Sequence, residues 1–190
     1  MEWRTMARPP AARGKVLDAY IALLCEEGER AATLEATAAR AGVSKGGLLY
    51  HFASKEALAD AVIEASEESI AKDIESMSSS AEGASVYYVR TSAEVNTDLD
   101  RYLNALQRLA QAGNKAASEK IESTSERWYQ CILHEVGSKD VAHLVMLTGE
   151  GLYAQLALPG TWYERNFEGE LDRLLELVTS IKKLGHLNKT

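Results

Sequence analysis

Residues 33–58, TLEATAARAGVSKGGLLYHFASKEAL, leave the chain few ways to fold. Leu34, Ala38 and Ala41 recur at helical spacing, which predicts a short helix with one small, apolar face. Gly42 follows that face directly. It suits the position after a helix end, where a left-handed backbone costs a residue without a Cβ almost nothing. Val43 plugs the turn, and Ser44 can cap a second helix by accepting from its unpaired amides. That helix runs through Lys45-Gly46-Gly47-Leu48-Leu49-Tyr50-His51-Phe52, with Leu48 and Phe52 four apart to pin it. Gly46 and Gly47 each cost ~1 kcal/mol relative to alanine in a helix interior. A helix that only packs has no use for them, whereas one that brings its backbone against a phosphate or a base edge does. Helix, glycine turn and short second helix make a helix-turn-helix, whose second helix enters a DNA major groove.

Further residues narrow the assignment. Thr33, Leu34, Ala38, Ala41, Gly42, Val43, Ser44, Gly46, Tyr50, Phe52, Ser54, Lys55 and Leu58 fall in an order that resembles the TetR family of bacterial transcriptional repressors. The resemblance covers the first quarter to third of the chain. Thr37 departs from it, since the family usually has isoleucine or valine there. Its β-branched shape predicts slightly weaker packing and no loss of fold. The resemblance implies that Lys45 and Gly46 approach base edges, lysine donating to guanine O6 and N7 while glycine leaves room. Gly47 belongs to the same DNA-facing set. Thr33, Ser44, Tyr50, His51 and Lys55 are implied as phosphate or sugar contacts that fix register. Thr33 also stands where it can cap the first motif helix, and Arg13 and Lys15 are further arm contacts. His51 stacked in the core and Tyr50 packed on the surface are the plainer alternatives.

The net charge of -7 is at first sight wrong for a DNA binder. Residues 1–55 carry eight Lys/Arg against six acids, however, and the remainder thirteen against twenty-two. A mildly basic head on an acidic body turns the head towards DNA. Its weak basicity predicts modest non-specific affinity. No apolar run approaches the ~20 residues that span a bilayer, and the basic start lacks the apolar stretch of a secretory signal. The expectation is a cytoplasmic protein without a membrane partner; either Met1 or Met6 fits as its start. Cys25 and Cys131 read as free, buried thiols in a reducing compartment.

The rest of the chain reads as helices, giving an all-α fold. A first helix spans 12–27 and ends at Gly28. A long one starts after Ser54 and fades into Ser78-Ser79-Ser80. Five more follow, at about 84–96, 98–112, 116–136, 139–158 and 167–184. The division expected is 1–55 for the helix-turn-helix DNA-binding domain and 56–190 for a helical effector-binding and dimerisation domain, with the boundary in or near the fourth helix. The helix at 139–158 is apolar over much of its circumference and contains Gly149 and Gly151, which let another helix approach. The resemblance implies that the last two helices form a homodimer interface; packing within one subunit is the alternative. It also implies a small effector, lipophilic or aromatic, bound in the body. Tyr88, Arg90, Trp128, Met146, Glu150 and Tyr153 are the candidate lining, as aromatic walls with a few polar groups. Glu150, flanked by apolar residues, needs a partner such as Arg90 or a cationic ligand. Trp162-Tyr163 would cover the end of the bundle.

Catalytic patterns are absent: no phosphate-cradling glycine loop, no G-x-S-x-G, no H-E-x-x-H. Cys131, His134 and His143 make a poor zinc pattern. No cofactor, metal or enzymatic activity is expected. The resemblance implies a ligand-responsive repressor that binds a palindromic operator in double-stranded DNA as a homodimer. The rivals are a helical small-molecule-binding protein or enzyme with a degenerate head, and a constitutive DNA-binding regulator without effector.

Overall fold

The computed structural model describes residues 10–156 and 169–187, with side chains for 12–156 and 169–183. The described helices are α1 (Pro10–Glu27), α2 (Leu34–Ala41), α3 (Lys45–His51), α4 (Lys55–Ser78), α5 (Ala84–Thr91), α6 (Asp98–Gln111), α7 (Lys115–Val136), α8 (Lys139–Leu156) and α9 (Leu171–Leu187). No strand occurs among the described residues. None of these helices is long and apolar enough to cross a membrane. The chain forms two compact units, one from Met1–Glu67 with Arg101–Ile121, the other from Glu68–Asp100 with Glu122–Thr190. The first boundary between them falls inside α4.

In the first unit, α1 supplies Val16, Tyr20 and Leu24, all fully buried, and they meet Leu48 of α3, Leu58 and Val62 of α4 and Leu106 of α6. Each fully buried aliphatic side chain contributes about 1.5–3 kcal/mol. The shared core therefore fixes the short α2 and α3, which at eight and seven residues would not hold alone. Thr37 is buried within α2, and its hydroxyl donates to the Thr33 carbonyl at 2.7 Å, which satisfies the polar atom that isoleucine would lack. Tyr20 is different: its hydroxyl is buried with no partner among the described residues. Burial, then the Glu29 and Glu56 carboxylates, push its pKa well above the tyrosine range. A buried hydroxyl without a partner costs about 1–3 kcal/mol. Tyr20→Phe is therefore expected to raise the denaturant midpoint at unchanged slope, by about 1 kcal/mol of stability. A lowered midpoint would mean that an ordered water serves the hydroxyl.

The second unit packs Met77 of α4, Val89 of α5, Ile132 and Val136 of α7, Ala142 and Val145 of α8 and Val178 of α9. Gly149 has a packing reason: a Cβ there would stand 2.4 Å from the Tyr88 ring, so α5 and α8 approach only because it is glycine. Among the described residues Gly151 has none, since a Cβ there meets nothing within 4 Å. At one end of the unit, Glu135 accepts from the Ser85 amide at 2.7 Å and hydroxyl at 2.6 Å, and pairs with Lys182 of α9. These bonds hold its carboxyl below the usual range although burial pushes the other way.

Several boundaries differ from the sequence expectation. The fifth helix ends at Thr91, not Asn96. The Thr91 and Ser92 hydroxyls bond back to the Tyr87 and Tyr88 carbonyls, and Asn96 turns the chain with φ 65. The last helix begins at Leu171, after Gly169 at φ 79. Expected helical residues 157–158 and 167–168, and Trp162-Tyr163, lie outside the described residues. Cys25 and Cys131 form no disulfide and are only half-buried, Cys25 near the Arg101 carbonyl and Cys131 near the Ser78 hydroxyl.

Candidate nucleic-acid interface

Each joint of the helix-turn-helix is closed by a specific side chain. Thr33, in extended backbone, caps α2 by accepting from the Ala36 amide at 3.1 Å. Gly42 takes φ 68 and ψ 32, and its amide and that of Val43 cover the Ala38 and Ala39 carbonyls. Any side chain at this left-handed position would be strained. Ser44 caps α3 by accepting from the Gly47 amide at 3.0 Å. Leu48 and Phe52 are both buried, so α3 is pinned by one face. Arg13 lies over the Phe52 ring, 4.9 Å from its centre, a cation–π contact that the sequence reading missed.

The opposite face of α3 is open. Tyr50 is 76% exposed, edge-on to His51 at 5.2 Å. Lys45, Gly46 and Leu49 are exposed as well, and Gly47 and His51 are half-buried. A Cβ on Gly46 would meet nothing within 4 Å, so nothing in the packing of the described residues requires glycine there. Thr33 and Ser44 lie exposed at the starts of their helices.

The cations of this region carry partners that the sequence did not reveal. Lys45 pairs with Glu35 of α2 at 2.5 Å. Lys55 reaches back to Glu29, 2.6 Å from its carbonyl and 2.5 Å from its carboxylate, and is half-buried there. Arg40 pairs with Glu26 at 2.5 Å. The hydrogen bond from Lys45, then Glu35's own amide, hold the Glu35 carboxyl below its ordinary range; Arg40 does the same for Glu26. These partners are ten to twenty-six residues apart, beyond the reach of any helical spacing rule.

The six candidate effector residues separate. Tyr88 and Met146 are buried in the second core with Trp128 against them, the Tyr88 and Trp128 rings 5.7 Å apart. Burial, then the Glu150 and Asp73 carboxylates, raise the Tyr88 pKa well above the usual range. Asp73, which the sequence reading missed, accepts from Trp128 Nε1 at 2.8 Å and from the Tyr87 hydroxyl at 3.0 Å. The Tyr153 hydroxyl bonds to Asp100. The expected pairing of Glu150 with Arg90 is not made. Arg90 bonds to Glu82 and Glu94, and Glu150 is exposed and needs no burial partner. Among the described residues no three His, Cys, Asp or Glu side chains gather to hold a metal.

A second open surface lies along α8 and α9. Leu147, Gly151, Leu152 and Gln155 face Arg173, Leu174 and Leu177 across a groove of about 400 Å³. Leu144, Leu147 and Leu177 are 47%, 65% and 52% exposed. The helix expected to be buried on several sides thus shows one apolar side to the outside.

Residues 16–62 match the family model for bacterial regulatory proteins, tetR family. No curated protein matches the sequence. Among solved structures, the chain is similar to the multidrug binding protein EbrR complexed with imidazole, at 20% identity and TM-score 0.61 over 91% of this chain and 96% of that one. It is similar to Salmonella enterica GusR at 18% identity and TM-score 0.64, over 95% and 100% of the two chains. A member of the TetR family from Streptomyces coelicolor A3 is similar at 20% identity and TM-score 0.62, over 90% and 98%. At such identities these likenesses are ones of fold.

Proposed function

We propose that this chain, whose residues 16–62 match the family model for bacterial regulatory proteins, tetR family, is a homodimeric repressor released from a palindromic operator by a small effector. The observation that carries the reading is the open face of α3, where a glycine with no packing role among the described residues stands between Lys45 and an exposed tyrosine. Residues 1–55 supply DNA binding, and 56–190 supply effector binding and dimerisation. Lys45, Gly46 and Gly47 meet base edges, while Thr33, Ser44, Tyr50 and His51 fix register on phosphate or sugar. Lys55 stays in this set as a phosphate contact at the first turn of α4, where Glu29 holds its ammonium.

Dimerisation is assigned to α8 and α9. An isologous interface needs one self-complementary patch, and the leucine-edged groove offers it. Gly151 supports this, because a helical glycine costs about 1 kcal/mol and a Cβ there would meet nothing within 4 Å among the described residues. The effector is lipophilic or aromatic and enters beside Tyr88, Trp128 and Met146, favouring a head spacing that no longer matches one turn of DNA, ~34 Å, or a multiple of it. It shifts binding only by its differential affinity for the two spacings, typically about 1–3 kcal/mol. Compounds that raise the melting temperature and release DNA identify its class.

The test is titration of a labelled duplex with the full chain at several salt concentrations. Binding that weakens steeply with salt is expected. No binding at low salt would leave the rival reading, a helical small-molecule-binding protein with a degenerate head. Gly46→Ala sharpens the test. It is expected to stabilise the fold by up to ~1 kcal/mol while weakening operator binding several-fold. A variant that gains stability and keeps full affinity would remove Gly46 from the interface.

A further inference from the structure

Lys45, Arg40 and Lys55 each rest on a carboxylate of the same unit: Glu35, Glu26 and Glu29. Only the first pair includes a residue assigned to base edges. Glu35 lies in the first turn of α2, next to the Thr33 cap, and its carboxylate reaches Lys45 Nζ at 2.5 Å across the turn between the two helices. Both side chains are more than half exposed, so the pair is open to exchange with a ligand. We propose that Glu35 is an intramolecular competitor for Lys45, setting how strongly the head discriminates its operator from other DNA. This rests on the DNA-binding reading above.

The physical argument compares what Lys45 exchanges in each case. On arbitrary DNA it meets an isolated phosphate, a monodentate anion much like the carboxylate it must leave. Little is gained, and Glu35 is released next to the phosphates, where it repels them and takes up a cation. At the operator it meets guanine O6 and N7 together, an arrangement that Glu35 cannot mimic. The pair therefore suppresses non-specific binding more than specific binding. The hydrogen bond from Lys45 lowers the Glu35 carboxyl pKa, so the competitor stays charged throughout the neutral range. The geometry also explains how a head of only eight basic against six acidic residues gains selectivity rather than raw affinity.

The experiment uses the full chain, Glu35→Gln, Lys45→Met and the double variant. The probes are a random-sequence duplex and the best duplex enriched from a random pool. Glu35→Gln is expected to tighten binding to the random duplex about twofold to fivefold and to steepen its salt dependence by about one unit of log K against log salt. Binding to the enriched duplex changes less, so the specificity ratio falls. In the Lys45→Met background the same substitution has little effect. Unchanged random-duplex affinity in Glu35→Gln would overturn the proposal. So would an equal gain with and without Lys45, which is general repulsion. A wild-type chain that binds neither duplex overturns the regulator reading itself, a distinct outcome.

Discussion

Phe52→Ala will weaken DNA binding by undermining the platform under α3, with no contact to DNA removed directly. The ring closes α3 at its carboxyl end, is almost fully buried in the first core, and carries Arg13 over its face. Truncating a buried phenylalanine costs about 3–5 kcal/mol. A domain's whole stability is about 5–15 kcal/mol, so the fall in denaturant midpoint is expected to be among the largest for any single substitution in the chain. Random-duplex affinity should fall at 25 °C, as the unsupported α3 departs from its place and part of the population loses the platform. Phe52→Leu should restore most of the stability and most of the binding, because it refills the volume and loses only the ring contact. A stability loss below about 1 kcal/mol for the alanine variant would mean that the site collapses around the cavity and that α3 is held by Leu48 alone.

The second large effect comes from the groove. Leu147→Glu with Leu177→Glu places two carboxylates on the patch assigned to the dimer. Both leucines are more than half exposed in the single chain. The substitutions should therefore leave the protomer folded, with an unchanged helical spectrum. In sedimentation the wild type is expected as a dimer and the variant as one species of half that mass. Operator affinity should fall by ~10²-fold or more, because two linked half-site contacts become two independent ones. A double variant that remains dimeric would move the interface elsewhere, and a monomer with full operator affinity would remove the need for two heads.

Most of the first unit was legible because local rules decide it. The spacing of Leu34, Ala38 and Ala41, the left-handed Gly42 and the caps Thr33 and Ser44 all act within four residues. The corresponding helices, α2 and α3, stand where those rules put them. The end of α4 at Ser78 was likewise marked by its serine run. The end of α5 was not, because two hydroxyls and an asparagine at positive φ stop it without glycine or proline. Charge partners were the least legible. Lys55 with Glu29, Lys45 with Glu35 and Trp128 with Asp73 join residues that only the packing of separate helices brings together. Glu150 misled for a related reason: apolar neighbours in sequence suggested burial, but its side of α8 faces outwards. The same helix shows how one residue type divides by context, Gly149 admitting the Tyr88 ring and Gly151 standing open.

The most direct test of α3 as the DNA-reading element is a guanine N7 methylation-interference footprint on the best duplex enriched from a random pool. The account predicts two clusters of interfering guanines, related by a two-fold axis and about one helical turn, ~34 Å, or a multiple apart. Lys45→Met should erase interference at one guanine in each cluster and leave the others. Enriched-duplex binding with no interference at any guanine N7, or a footprint that Lys45→Met leaves intact, would contradict it.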